Sequence, residues 1–300
     1  MADATNATAT VSDAGQSADG TRLSVLHRTT FRYSGPVTRS QNTLHLEPRT
    51  FPLQKTISAI IRVLPATRLK RFSDLFQNVT HHFELPQAHD KLEIESRIKV
   101  HNLPLELSAE AMAATLDESR AAEVREIIWP YLQETRQVEK NPEVWKQALD
   151  LTRELPAIHD KASTIMSWIH EKFSYEPGST AVQTRLAESY AMRRGVCQDF
   201  THVMLGMCRT IGVAARYASG YLYNGPTDHL VGAQASHAWP EIYLPGMGWV
   251  GYDPTNNNLA DERYIKVAVG RDYDDVAPVE GTYMGSGHCQ MEVLVQVEKL

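Results

Sequence analysis

The chain has 300 residues, 42% of them hydrophobic, enough to bury the core of two domains or of one large domain with an appendage. Thirty basic against thirty-six acidic residues give a net charge of −6, which excludes a global electrostatic footprint for nucleic acid or an anionic membrane. Three cysteines, Cys197, Cys208 and Cys289, form no CxxC pair, which argues against a disulfide framework or structural zinc and for a reducing, cytoplasmic setting.

Residues 1–20 are rich in Ala, Thr, Ser, Asp and Gly. They have neither the basic start nor the apolar stretch of a signal peptide and read as a disordered tail. No later run approaches the roughly eighteen apolar residues of a membrane span. Residues 21–105 read as an antiparallel β domain: Leu23, Val25, His27, Thr29, Phe31 and Tyr33 alternate, and strands follow at 57–63, 78–85 and 92–101 between Pro and polar breaks. The short basic run at Arg68, Lys70 and Arg71 fits a solvated strand edge or turn. Residues 106–155 turn to Ala, Glu, Leu, Arg and Gln, broken by Pro130 and Pro142, and form a helical connector.

Residues 156–300 read as the core that carries the chemistry. Ile158, Ala162, Ile165, Met166, Ile169 and Phe173 recur at helical spacing, as do Phe200, Val203, Met204, Met207, Cys208 and Ile211 before Gly212. Strands follow at 214–223, 236–243, 249–253, 263–269 and 290–297. In the last, the alternation of Met291, Val293, Val295 and Val297 predicts one face in the core. The run Pro245-Gly246-Met247-Gly248 is a hairpin turn that places His237 and Asp253 on neighbouring strands.

One constellation carries chemistry. Cys197 lies at or just before the first turn of the second helix, where unpaired N–H groups and the positive dipole end favour a thiolate and can hold an oxyanion. A thiol nucleophile also needs a base, and the base an orienting carboxylate. His237 and Asp253 supply both in the required order. Asp199 reads as a first-turn hydrogen-bond residue, His202 as packed or partly exposed, Cys208 as core and Arg216 as an ion-pair partner. His288 and Cys289, adjacent on a strand, point to opposite faces. No metal and no cofactor are expected, and nothing in the pattern fixes an oligomeric state.

The segments 195–200, 215–221, 237–243 and 249–256 together resemble the bacterial transglutaminase-like proteins, often described as candidate cysteine proteases. Tyr33, Pro36, Val37, Leu46, Pro48 and Arg49 match that group's N-terminal β domain, and the run 267–273 is similar to its end. The resemblance implies an α+β fold: an N-terminal antiparallel β domain, then a papain-like, transglutaminase-like core whose Cys-bearing helix packs on an antiparallel sheet. It implies Cys197 as nucleophile, His237 as base and Asp253 as orienter. Beside the Cys197 backbone N–H, Tyr175 or Trp168 is the second oxyanion candidate, by analogy with aromatic donors upstream of the nucleophile. Gln198 and Trp239 are further oxyanion or groove positions, and Trp249, Tyr243 and Tyr252 are candidate groove aromatics for a peptide or protein substrate. The expected reaction is amide acyl transfer through a thioester, ending in peptide or amide hydrolysis. The alternatives are a protein-glutamine transglutaminase using an amine acceptor, and a peptide-binding module without turnover.

Overall fold

The computed structural model describes residues 20–300 apart from 120, 226–229, 233–235 and 286. The tail expected at 1–20 therefore lies, but for its last residue, outside the described residues. The N-terminal half contributes β1 (Thr21–Glu47), β2 (Gln54–Leu64), β3 (Lys70–Ser73), β4 (Val79–Leu85) and β5 (His89–Asn102). The alternation around Leu23 is real: Leu23, Val25, His27 and Thr29 are buried. The strand, however, runs on for 27 residues and so meets two sets of partners. Its first half pairs with β5 and its second with β4, in a seven-stranded antiparallel sheet in which five strands run in the order β2-β5-β1-β4-β3 and two more, from the end of the chain, also pair with β1.

Helices α1 (Ala109–Ala113), α2 (Leu116–Ser119), α3 (Ala122–Ile128) and α4 (Pro142–Thr152) follow. They are more than a connector, because Ala111 of α1 and Val144 and Ala148 of α4 share one buried cluster with the second half of the chain. That half begins with α5 (Ile158–Lys172), β6 (Ser174–Tyr175), α6 (Leu186–Met192), β7 (Arg194–Gly195) and α7 (Cys197–Thr210). A five-stranded antiparallel sheet comes next, from β8 (Ala215–Leu222), β9 (His237–Leu244), β10 (Gly248–Asp253), β11 (Asn258–Leu259) and β12 (Tyr264–Gly270), in the order β11-β10-β9-β8-β12. Phe200, Val203, Met204 and Met207 of α7 pack with Ala215, Tyr217, Ile242 and Val250 of this sheet and with Ile165 and Ile169 of α5. Full burial of each Val, Ile, Met or Phe side chain among them contributes roughly 1.5–3 kcal/mol.

The chain ends with β13 (Val279–Gly285) and β14 (Cys289–Lys299), which depart from the sequence reading of a core running to residue 300. Both pair with β1 in the N-terminal sheet. Met291 and Val293 are exposed, whereas Val295 is buried. Alternation predicts a strand but not its partner.

The two sheets meet through Leu23, Val25, Ile98 and Val100 against Tyr221, Ile265 and Val267. Strand β12 is an edge whose backbone groups need partners. Side-chain amides from the N-terminal half supply them: Gln54 of β2 bonds both the N–H and the carbonyl of Lys266, at 2.8 and 2.7 Å, and Asn78, just before β4, does the same for Val269, at 2.8 Å each. Among the described residues no helix is long and apolar enough to cross a membrane.

Candidate active site

Cys197 is the first residue of α7, and the chain before it fixes where its thiol emerges. Gly195 pairs with Tyr175 in the short parallel ladder of β6 and β7. A Cβ at Gly195 would lie 2.5 Å from Asp199 Oδ2, so the carboxylate's position requires glycine. Buried Asp199 turns back to accept from the Val196 N–H at 2.8 Å, half of a capping box. It also accepts from the hydroxyls of Ser189 at 2.9 Å and Thr180 at 2.7 Å. The first turn is thereby pinned to α6 and to the preceding loop, and Asp199 is the first-turn hydrogen-bond residue the sequence predicts. The leading N–H groups of the helix remain beside the Cys197 sulfur.

His237 opens β9, and the β9–β10 hairpin, with Leu244 opposite Gly248, returns Asp253 alongside it. The imidazole donates from Nε2 to Asp253 Oδ2 at 2.8 Å, with both side chains fully buried. Its Nδ1 is buried without a hydrogen-bond partner, and Cys197 lies close enough to act on the ring. Burial disfavours a charge on His237, but Asp253 and then Cys197 outweigh it and push its pKa up to about 10.

Asp253 serves two roles through its two oxygens. Oδ1 accepts from the N–H groups of Thr255 at 2.8 Å and Asn256 at 3.4 Å, closing a turn. Oδ2 accepts from His237, from Asn256 Nδ2 at 2.7 Å and from the Tyr264 hydroxyl at 2.7 Å. Burial opposes its charge, yet His237, Asn256 and Tyr264 together hold its pKa below the ordinary carboxylate value. Burial and Asp253 raise the Tyr264 pKa, so its O–H stays a donor.

The structure brings Cys197, His237 and Asp253 together and distributes the other candidates. Tyr175 is half-buried, and burial, then Cys197 and Asp253, push its pKa up to about 12. Gln198 spends its amide on the Val182 carbonyl at 2.9 Å. Trp168 packs at 6.0 Å from Phe173 and 6.2 Å from Tyr190 in the helical core. Trp239 is buried and stacks on His237 at 6.0 Å, beneath the imidazole rather than in an open groove. Tyr252 is likewise core, its hydroxyl 2.8 Å from His159 Nδ1. His202 is fully buried, its pKa pushed down to about 3 by burial and then by Arg209, and its Nε2 accepts from the Tyr273 N–H at 3.3 Å. Cys208 is core, burial raising its thiol to about 12. Arg216 pairs with Glu241 at 2.7 Å.

Three contributors escape the sequence reading. Asn256 accepts from the Val231 N–H at 2.8 Å and donates to the Val231 carbonyl at 3.2 Å, tying Asp253 to the chain before β9. Gly232, at φ 92°, lies over the imidazole, where a Cβ would come 2.6 Å from Nδ1. Tyr264 is the third. The run Asp253-Pro254-Thr255-Asn256 carries a usable signal for the first, since an Asx turn brings the following side chain back to the carboxylate. Among the described residues no three His, Cys, Asp or Glu side chains are grouped to hold a metal ion.

Residues 146–254 match the family described as the transglutaminase-like superfamily, and residues 23–101 match the bacterial transglutaminase-like N-terminal region. An uncharacterised protein of Mycobacterium leprae is 34% identical over 285 residues, covering 93% of this chain and 99% of that one. A protein-glutamine gamma-glutamyltransferase of Pseudomonas aeruginosa is 28% identical over 131 residues, 39% of this chain and 19% of that protein. The crystal structure of a candidate cysteine protease from Cytophaga hutchinsonii superposes with a TM-score of 0.79 at 20% identity, over 94% of this chain and 91% of that one, and shares the fold. The chain belongs to the transglutaminase-like superfamily, with the bacterial transglutaminase-like N-terminal region ahead of its core.

Proposed function

We propose that the protein is a cysteine-dependent acyl-transfer enzyme that attacks amides of peptides or proteins. The observation that carries this reading is the buried pair of His237 Nε2 and Asp253 Oδ2 at 2.8 Å, with Nδ1 left unbonded and Cys197 acting on the ring from the first turn of α7. Asp253 holds the Nε2–H tautomer, which leaves Nδ1 as the atom that exchanges a proton with the thiol. The Cys197 sulfur attacks the amide carbonyl, and the resulting oxyanion is held by the Cys197 N–H and the Tyr175 hydroxyl. Collapse breaks the C–N bond, His237 gives its proton to the departing amine, and a thioester remains on Cys197. Water then attacks, His237 takes its proton, and the carboxylic acid leaves as the thiol re-forms.

Hydrolysis is the favoured ending because water requires no dedicated acceptor site. The second reading, attack by an amine to complete a transglutaminase cycle, is favoured by the similarity to the Pseudomonas aeruginosa glutamyltransferase. The three free thiols fit a reducing, cytoplasmic setting. Mass spectrometry of a peptide pool incubated with and without added amine separates the readings. New termini or deamidated glutamine without regard to amine mark hydrolysis, and amine-dependent cross-linked mass marks transamidation. A pool unchanged in both arms overturns the proposal.

A further inference from the structure

A cavity of about 480 Å³ opens where the two sheets meet, with Trp239 and Tyr264 between it and the His237–Asp253 dyad. That size is typical of small-molecule sites, roughly 300–1,000 Å³. His237, Trp239 and Glu241 are alternate residues of β9 and share one face of the sheet. Trp239 stacks on His237 and packs edge-on against Tyr264 at 5.2 Å, and both Trp239 and Tyr264 line the cavity.

The charges lining it do not balance. Arg49, Arg216 and Lys266 face the space with Glu241 and Asp261. Asp261 is taken by Arg263, which donates to it at 2.6 and 2.9 Å. Glu241 serves two cations at once, Arg216 at 2.7 Å and Lys266 at 2.6 Å. Arg49 donates to the Gln77 side chain at 2.9 Å, and its Nε is buried with no partner. Burial, and after it Arg216, push the Arg49 pKa down, against the smaller opposing pull of Tyr131, Glu241 and Asp74. The cations sit over aromatic faces: Arg49 and Lys266 lie 4.9 and 4.2 Å from the Phe51 ring centre, and Arg216 lies 4.4 Å from that of Trp249. A partly buried excess of positive charge is costly unless an anion joins it.

We propose that this cavity binds an organic carboxylate bearing an apolar or aromatic group, with the carboxylate against Arg49 and the apolar group against Phe51 and Trp249. The site is separate from Cys197 and stands whether or not the acyl-transfer reading holds. The ligand chemistry has two sources, a free small acid or the C-terminal residue of a peptide. Calorimetric titration of the Cys197→Ala chain uses N-acetylphenylalanine and a hexapeptide ending in phenylalanine, each against its C-terminal amide, with inorganic phosphate as the anion lacking an apolar body. An acid should bind at least about tenfold more tightly than its amide, the scale of one charge-assisted hydrogen bond. Which acid does so identifies the source. Arg49→Gln should remove that preference and Arg49→Lys should restore part of it. Equal binding of acid and amide, no binding of either acid, or tighter binding of phosphate than of both acids would overturn the proposal, and these comparisons need no variant of Arg49.

Discussion

Replacing Asp253 by Asn preserves side-chain volume and removes the charge that keeps a proton on His237. The rise of the His237 pKa from 6.5 to about 10, at about 1.4 kcal/mol per pH unit, corresponds to on the order of 5 kcal/mol of net stabilisation of the imidazolium. Without Asp253, burial lowers the His237 pKa and only Cys197 opposes it, so in Asp253→Asn the ring holds its proton less strongly than in the wild type. A protonated ring facing the Cys197 sulfur is one charge-assisted interaction, worth roughly 1.5–3 kcal/mol, so iodoacetamide should alkylate Cys197 in Asp253→Asn at least about tenfold more slowly than in the wild type. Peptide-resolved mass spectrometry reads the rate at each thiol from pH 5 to 9. Cys208, buried with its thiol near 12, and Cys289, exposed and with its pKa raised by burial, serve as internal references. The sign for stability follows from the same shift. The folded pKa lies above the unfolded one, so the stabilisation is complete below about 6.5 and is lost as pH rises toward 10. The wild-type Tm should therefore fall more steeply between pH 7 and 10 than that of Asp253→Asn. Equal alkylation rates and equal pH profiles in the two proteins would refute the reasoning.

Cys197→Ala should lower turnover by more than about a thousandfold while keeping the Tm within a few degrees, and a variant retaining a tenth of wild-type activity would show that the nucleophile lies elsewhere. His237→Ala should be as damaging. Asn256→Ala removes one of the three hydrogen bonds to Asp253 Oδ2 and both bonds to Val231; Cys197 alkylation should slow by about tenfold, and an unchanged rate would exclude a positioning role. Gly232→Ala forces a side chain into a left-handed backbone and against His237 Nδ1, so Cys197 reactivity should fall at least about tenfold; a wild-type rate would mean that this stretch does not lie over the base.

The sequence makes plain the parts of the molecule whose physics is local. Period-two runs around Leu23 and period-3.6 runs through Val203 and Met207 declare strand and helix, and the hairpin at Pro245 suffices to bring Asp253 alongside His237. Pairing between distant strands leaves no such trace. Met291, Val293 and Val295 alternate identically whether they face a core or solvent, and only the structure shows β14 on β1 with its first two apolar residues exposed. The site follows the same division. Asp253 both closes a turn and orients His237, Oδ1 performing one task and Oδ2 the other. Asn256, Tyr264 and Gly232 matter because the chain on either side of β9 folds back onto the dyad, which residue spacing does not encode.

The measurement that bears most directly on the central claim is an acid quench of the enzyme with a glutamine- and lysine-containing peptide, followed by intact-mass analysis and mapping of the modified residue. The account predicts a thioester adduct on Cys197, absent in Cys197→Ala, with a mass equal to the acyl donor less its departing amine. That amine is ammonia for a glutamine side chain or a new peptide N-terminus for a cleaved backbone. Turnover without an adduct on Cys197, and without ammonia, new termini or cross-linked product, would contradict it.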